Sequence, residues 1–424
     1  MDQSFPLSAK ASGISVTRSS SISSCKRYLF TGAFIVCNLL AVQPGHVYAQ
    51  KGLPPGKTTG AEVHTTYPDH KAFKPELLSQ LKVPQGFAVK VAASGLGKPR
   101  MMVMDEANRL FITRRDAGDI LVLSDADARG KFQHMKTAWA DFPDVHGIAI
   151  YQGYMYACSS TKLKKAKLNS DGSLTDTVTI LKDLPDGAQH NNRVIHFGED
   201  GKLYITVGSS CNDCGETNPE HATMLRMNPD GSEREIFARG LRNTIGFDWQ
   251  PDTKAIWGID NGTDWRGDTI PPEELNKIEQ GKHYGWPHVY GKQQPDFTRE
   301  EPPGMSLAEY AKTTEPSIME FPAHSAPIDF LFMKTAAKFP EEYHDDALVC
   351  WHGSWNRKQP EGYKIQRIKY ENGKPTGVED FFSGFLSADG KSRIGRPAGL
   401  AFSKDSRLFI SDDENGIIYC ITHE

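Results

Sequence analysis

The sequence predicts an all-β fold, a six-bladed β-propeller with inserted loops over one face. One phrase occurs six times along the chain: an apolar alternating strand, a polar turn rich in Asp, Gly and Lys, and a second apolar strand. The copies follow one another at intervals of roughly 45 to 90 residues, and long helical patterns are scarce. A β-sandwich with long loops is the alternative, but it does not require the same phrase six times.

The N-terminal residues 1–49 are expected to form a signal peptide. Lys26 and Arg27 precede a mostly apolar run, and small residues lie just before Gln50. The run is short for a membrane span, so export is favoured over the alternative of an uncleaved anchor. We therefore expect an extended leader over 50–80, a propeller over 81–424, a periplasmic or secreted protein, and no stable membrane insertion. The net charge of −4 argues against nucleic acid as a partner.

Six similar phrases predict the six blades in chain order. They begin at Pro99, Val145, Asn192, Asn243, Ala326 and Pro397. Residues 264–325 form the longest stretch outside the repeats. We expect this stretch to form loops over the face that carries the functional site.

Polar and cationic side chains recur directly before the first strand of each repeat, where ordinary loop ends would be Gly, Ser or Asp. The positions hold Arg100, His146, His190, Arg242 with Asn243, His324 and Arg396. Their shared register places them near one end of the central channel, which predicts a ring of donors and cations around a polar, anionic ligand. His190 alone could be an ordinary loop histidine. Its register with Arg242 favours a general base.

Two loops that follow strands carry further chemistry. The segment DNGTDWRGD, Asp260–Asp268, offers carboxylate and carbonyl oxygens that suit Ca²⁺, although a solvated turn has the same composition. The segment CWHGSWNRKQPEGY, Cys350–Tyr363, combines aromatic rings with a cation. Such a group either packs within the fold or binds a flat ring system or a sugar.

The cysteine pair Cys211 and Cys214 is expected to be a short-loop disulfide or a pair of thiols. Gly215 stands where a c-type haem motif needs a histidine, and no second Cys-x-x-Cys supports a zinc site. The other cysteines of the mature chain are Cys158, Cys350 and Cys420. They are either buried thiols or one further pair plus a thiol.

With these residues in view, the chain resembles the soluble PQQ-dependent sugar dehydrogenases, and most of all the sorbosone and pyranose dehydrogenase branch of the glucose/sorbosone dehydrogenase family. The resemblance covers roughly residues 80–424. It is carried by the motifs GLGKPR, HNNRVIHFGEDGKLYITVGSSCNDC, GLRNTIGFDW, DNGTDWRGD with PPEELN and GKHYGWP, HGSWNR with EGYKIQRI, and GRPAGLAF.

The resemblance implies pyrroloquinoline quinone (PQQ) held over the channel by Ca²⁺ and basic side chains. It implies His190 and Arg242 as catalytic residues, with His190 the base. The expected cofactor contacts are Asn243, Asn261, Arg357 and Arg396. The expected metal ligands are Gly262, Thr263 and Asp264, and the expected substrate contacts are His146, His324 and Trp355. Asn191-Asn192-Arg193 and Ser209 depart from the glucose dehydrogenase pattern near the base, so substrate choice is not carried over.

The function expected from the sequence is PQQ- and calcium-dependent oxidation of a sugar or sugar aldehyde. Hydride would pass to the quinone, and an external acceptor such as a quinone, dye or cytochrome would take the electrons. A secreted propeller lactonase with a bound metal is the first alternative, and it would require a ring of carboxylates around that metal. A non-catalytic binding propeller is the second alternative, and it would leave His190 without a role.

Overall fold

The structure, a computed structural model, describes residues 61–186, 188–334 and 336–424 and confirms the six-bladed propeller. Six antiparallel four-stranded sheets form the blades. The inner strands of successive blades contact one another in circular order, and the sixth blade returns to the first. The predicted signal peptide and the first part of the leader lie outside the described residues.

The first three blades follow the chain without interruption. Blade 1 comprises Met102–Met104, Leu110–Arg114, Asp119–Ser124 and His134–Trp139. Blade 2 comprises Gly147–Tyr151, Tyr154–Cys158, Leu163–Leu168 and Leu174–Leu181. Blade 3 comprises Ile195–Phe197, Leu203–Val207, Thr223–Met227 and Glu235–Arg239.

The last three blades carry the insertions and the closure. Blade 4 comprises Thr244–Trp249, Ile256–Asp260, Glu273–Ile278 and Met319–Phe321. Blade 5 comprises Pro327–Phe332, Ala347–Trp351, Lys364–Glu371 and Lys374–Phe382. Blade 6 comprises Pro397–Phe402, Leu408–Asp412, Ile417–His423 and the N-terminal strand Phe87–Ala93.

Ring closure joins the two ends of the propeller sequence. Phe87–Ala93 pairs antiparallel with Ile417–His423, with Val89 opposite Ile421. The fourth strand of blade 6 therefore comes from the start of the propeller sequence. Hydrogen bonds between these strands lock the ring against opening.

Burial follows the position of a strand within its blade. Every residue of Leu203–Val207 is buried, because the second strand of a blade is covered on both faces by the neighbouring blades. The outermost strand Leu174–Leu181 is mostly exposed. This gradient explains why the apolar phrase of each repeat is strongest in its first two strands.

Short elements decorate the predicted insertion and the turn of blade 5. The hairpin Val289–Tyr290 with Gln294–Pro295 and the helix Leu307–Ala311 lie between the third and fourth strands of blade 4. The 3₁₀ helix Glu341–Tyr343 lies between the first two strands of blade 5. Ser306 starts the α-helix with a capping box that it forms with Glu309.

Residues 61–80 of the predicted leader pack on the propeller. Asp69–His70 pairs in parallel with Ser392–Arg393, and the 3₁₀ helix Pro75–Gln80 follows. The imidazole Nδ1 of His64 lies 3.0 Å from a carboxylate oxygen of Asp268. In the described part of the chain, no helix is long and apolar enough to cross a membrane.

Candidate active site

The predicted blade-tip residues lie at one end of the channel, which we call the mouth. In an antiparallel blade, the start of the first strand and the end of the second strand meet at the same end of the sheet. Residues that follow second strands therefore join the predicted ones. Ser209, His352 and Asp413 are three of them.

At the mouth, Nε2 of His190 makes no hydrogen bond to any residue that the structure describes. Its Nδ1 lies 2.8 Å from Ser209 Oγ and 3.1 Å from the Ser209 carbonyl oxygen. The Ser209 hydroxyl itself donates to the Cys211 carbonyl at 2.8 Å, so both partners of Nδ1 accept and Nδ1 carries the proton. Burial, followed by the nearby charge of Arg242, lowers the pKa of His190 to about 3. The imidazole is thus neutral, with its lone pair on Nε2.

Arg242 and Asn243 stand beside this histidine. A Cβ added at Gly208 would lie 2.6 Å from the His190 Cβ and 2.8 Å from Asn243 Oδ1, so only glycine lets these two side chains flank the strand end. The Arg242 guanidinium is 2 % exposed. Its Nη1 donates to the Asn261 carbonyl at 3.1 Å. The backbone N–H groups of both residues donate to the Asp260 carboxylate.

The loop that follows blade 4's second strand matches the chemistry of a hard cation. Among the described residues, no donor reaches the carbonyl oxygen of Gly262 or Thr263. The Asp264 carboxylate lies 3.5 Å from Arg242 Nη2 and 3.8 Å from His324 Nδ1. Free carbonyls beside a carboxylate are the oxygen ligands that Ca²⁺ prefers.

Buried Glu273 holds this loop from behind. Its carboxylate accepts from the backbone N–H of Gly262 at 2.8 Å and of Ala326 at 3.1 Å. Burial raises the pKa of Glu273 to about 8. Asn261 uses its amide N–H groups on the carbonyls of Asn243 and Pro327, which ties blade 4 to blade 5. Asn261 therefore offers a ligand only its side-chain oxygen.

Arg396 lies at the mouth, at the start of blade 6, and some of its guanidinium N–H groups have no acceptor among the described residues. Its Nε donates to the His352 carbonyl and its Nη2 to the Gly353 carbonyl, both at 3.0 Å. No residue in the described ranges accepts from its Nη1. Asp413 lies behind it and accepts from His352 Nε2 at 2.9 Å and from Arg100 Nη1 at 2.6 Å. Burial alone would raise the pKa of Asp413, but His352 and Arg100 hold it below its ordinary value.

The three predicted substrate residues differ in accessibility. His146 is completely buried between blades 2 and 3, where its Nδ1 donates to the Arg193 carbonyl at 3.0 Å, so the structure does not present it to a substrate. Sequence register gave its place along the channel but not the direction of its ring. His324 is 6 % exposed and its Nε2 donates to the Gly267 carbonyl at 2.9 Å.

Trp355 and Arg357 lie on the loop that the leader crosses. Trp355 stacks on Tyr67 with ring centroids 6.3 Å apart and meets Trp265 edge-on at 5.0 Å. Arg357 Nη1 donates to the Ala323 carbonyl at 2.8 Å, while its buried Nε has no partner among the described residues. Trp355 is half-buried by these contacts, and Arg357 keeps donors for a ligand.

A cavity of about 450 Å³ lies beside the loop that leads to His190. Its walls include Asp144, Lys162, Asp186 and Asn191. Ser160 also lines it, and the hydroxyl of this residue is buried without a partner in the described structure. Polar walls of this kind suit a polyhydroxylated molecule.

The structure settles the cysteine alternatives. Cys211 and Cys214 form a disulfide with Cα atoms 6.1 Å apart. Cys158, Cys350 and Cys420 are free, buried thiols. The prediction from sequence considered only the two cysteines of this loop and missed Asn212, which lies between them. Asn212 contacts both Arg242 and Asp264. Only its position inside the short loop next to Ser209 could have drawn attention to it.

Comparison with known proteins agrees with this geometry. The TrAA12-like family model matches residues 81–424. The chain belongs to the TrAA12-like family. This membership confirms the resemblance to PQQ-dependent sugar dehydrogenases and the expectation of an oxidoreductase.

Individual relatives are similar over most of the chain. An uncharacterised protein of Borreliella burgdorferi is 32 % identical over 82 % of this chain and 92 % of its own length. The PQQ-dependent pyranose dehydrogenase of Coprinopsis cinerea is 24 % identical over 82 % of this chain, and the match spans only 55 % of that enzyme.

Solved structures share the fold. The holo PQQ domain of the Coprinopsis cinerea pyranose dehydrogenase superposes with a TM-score of 0.70 at 21 % identity, over 84 % of this chain and 98 % of that one. The calcium structure of the Trichoderma reesei family AA12 enzyme gives 0.70 at 21 % identity, over 85 % and 98 %.

The mouth residues fit the cofactors that this family implies. PQQ carries three carboxylates, and Arg396 and Arg357 keep N–H donors that no described residue uses. The carbonyls of Gly262 and Thr263, with the Asp264 carboxylate, supply oxygen ligands for one Ca²⁺. Both donor sets lie at the same mouth as His190.

Proposed function

We propose that the chain is a secreted or periplasmic PQQ- and calcium-dependent dehydrogenase that oxidises an aldose or a sugar aldehyde. One observation carries the proposal. The neutral imidazole of His190 lies beside Arg242, at the same mouth as two carbonyl oxygens, of Gly262 and Thr263, that accept no hydrogen bond from described residues. Further cationic side chains lie at the same mouth. Family membership and the names of the relatives support the same reaction.

The proposed cofactor contacts are the arginine N–H donors that make no hydrogen bond within the described structure. Arg396 and Arg357 would bind PQQ carboxylates, with Asn243 and Asn261 completing the polar contacts. Gly262, Thr263 and Asp264 would hold Ca²⁺ against the quinone. When bound, PQQ supplies an electrophilic quinone carbon that accepts a hydride, and Ca²⁺ increases its electrophilicity.

His190 would remove the proton from the substrate hydroxyl through Nε2. Ser209 fixes the tautomer, because its carbonyl and its hydroxyl oxygen both accept from Nδ1. The apo-protein pKa of about 3 reflects burial and the charge of Arg242. Carboxylates bound at the mouth would offset that positive charge and bring the base closer to working pH.

Arg242 would stabilise negative charge that develops in the transition state. Its guanidinium is fixed by Asn212, Asn261 and Asp264, so little reorganisation is needed. The cavity beside the loop that leads to His190 would receive the sugar, with Asn191 and Lys162 offering hydrogen bonds. His324 and Trp355 would border the substrate side, whereas His146 would support the loop from within.

The Cys211–Cys214 disulfide supports a location outside the reducing cytosol. Electrons would leave to an external acceptor of the quinone, dye or cytochrome kind. The protein would therefore act on a small sugar and pass electrons to a separate redox acceptor.

The test is dye reduction by purified protein given PQQ, Ca²⁺ and a panel of aldoses and sugar aldehydes. We expect reduction that needs both PQQ and the sugar, that is lost after chelation and that returns with Ca²⁺. Hydrolysis of sugar lactones without PQQ, and no dye reduction with any sugar, would contradict the proposal and favour the metal-dependent lactonase.

A further inference from the structure

The loop closed by Cys211 and Cys214 contacts the support of His190, the guanidinium of Arg242 and the proposed calcium loop. Cys211 accepts through its carbonyl from the Ser209 hydroxyl that supports His190. Asp213 pairs with Arg266, in the segment that follows blade 4's second strand, and at 3.1 Å with Arg299, in the insertion between the third and fourth strands of blade 4. Asn212, which lies between Cys211 and Asp213 in the sequence, contacts Arg242 and Asp264.

Asn212 binds Arg242 twice. Its carbonyl accepts from Arg242 Nε at 3.0 Å and its Oδ1 accepts from Nη2 at 2.8 Å. These bonds hold one edge of a guanidinium that is almost fully buried, the edge formed by Nε and Nη2. A planar fork held at both of these nitrogens has a fixed orientation.

The same side chain also binds the proposed calcium loop. Oδ1 accepts from the backbone N–H of Asp264 at 2.9 Å, and Nδ2 donates to the Asp264 carbonyl at 3.2 Å. One amide therefore sets the distance between Arg242 and Asp264. No other described side chain makes hydrogen bonds to both.

We propose that Asn212, clamped by the Cys211–Cys214 disulfide, is the positioning residue that aligns Arg242 with the calcium loop for the sugar oxidation. This inference rests on the proposed function. Asn212 would not contact the sugar, so its loss should act on the orientation of Arg242 and on cofactor binding. The disulfide limits the motion of the two residues that flank it.

The experiment compares Asn212→Ala and Asn212→Asp with the control Asn218→Ala. Asn218 is exposed on the same connection, and its hydrogen bonds to other described residues are those it accepts from the backbone N–H groups of Glu220 and His221. The readouts are PQQ binding to the apo-protein by equilibrium dialysis, kcat and KM for the best sugar, and thermal unfolding.

Asn212→Ala should lower kcat about 10- to 100-fold and weaken PQQ binding, with little change in the KM of the sugar. Asn212→Asp keeps an acceptor for both Arg242 and the Asp264 N–H, so it should recover most of the lost kcat. Asn218→Ala should behave as the wild type. This pattern separates positioning from a general loss of structure.

Three results would overturn the inference. They are an Asn212→Ala variant with the kcat and PQQ affinity of the control, an Asn212→Asp variant as impaired as the alanine variant, and failure of both to fold, which would make Asn212 a folding residue. A wild-type protein that binds PQQ but oxidises no sugar would instead contradict the proposed function, and the dialysis comparison would still test the positioning.

Discussion

His190 owes its free nitrogen to a short relay of hydrogen bonds. The Ser209 hydroxyl cannot donate to Nδ1 and can only accept from it, because its own proton is committed to the Cys211 carbonyl. The glucose dehydrogenase pattern has an Asp where this chain has Ser209. A neutral hydroxyl fixes the same tautomer without adding a negative charge, so the pKa of His190 stays low.

Replacement of the base is the residue-scale prediction. His190→Gln should lower kcat by about 10²- to 10⁴-fold, because glutamine keeps a polar side chain but cannot take a proton. PQQ affinity should change little, since Arg396 and Arg357 carry the cofactor contacts. The measurements are steady-state kinetics and PQQ dialysis, with exposed His134→Gln as the control. Equal losses of kcat and PQQ affinity would refute the base assignment.

Several site residues could be predicted from sequence because their position repeats. The register before each first strand predicted Arg242 and Arg396 near one end of the channel, and their contacts with the loops that follow second strands agree with that position. Register does not give side-chain direction, so His146 was expected at the substrate but points between blades. Asn212 could not be predicted, because its partners come from the next blade and are far away in sequence.

Contacts between inner strands explain how neighbouring blades stay in register. Asp329 of blade 5 accepts from the Leu400 N–H of blade 6 at 2.7 Å, and Asp248 of blade 4 accepts from the Phe332 N–H of blade 5 at 2.9 Å. Both carboxylates border the channel cavity of about 450 Å³. Burial raises the pKa of Asp329 to about 7.

Asp329→Asn is the element-scale prediction. The folded-state pKa of Asp329 lies above its unfolded value of about 3.9, so its contribution to stability is full below that pH and is lost as pH rises through about 7. Asparagine removes this dependence. Between pH 5 and pH 8, the variant should gain on the order of 2 kcal/mol in unfolding free energy relative to the wild type.

Urea unfolding of both apo-proteins at the two pH values measures this gain. Asp176→Asn, on the exposed outer strand of blade 2, is the control and should follow the wild type. Parallel pH slopes for Asp329→Asn and the wild type would show that Asp329 stays ionised in the folded protein.

At the scale of the whole molecule, the six-fold repetition could be predicted because the second strand of each blade is almost completely buried. The closure was harder to see. Phe87–Ala93 completes blade 6 although it lies more than three hundred residues away along the chain from its partner. The packing of residues 61–80 could not be predicted either, because it depends on scattered contacts such as Tyr67 with Trp355.

The propeller thus brings residues from distant repeats to one mouth, and the central claim is that this mouth binds PQQ through Ca²⁺ and arginines. Titration of PQQ into the calcium-loaded apo-protein, followed by absorbance, tests it most directly. We expect saturation at one PQQ per chain, loss of binding after chelation, and weaker binding by Arg396→Ala. Absence of saturable binding, or binding unchanged by both chelation and Arg396→Ala, would contradict the claim.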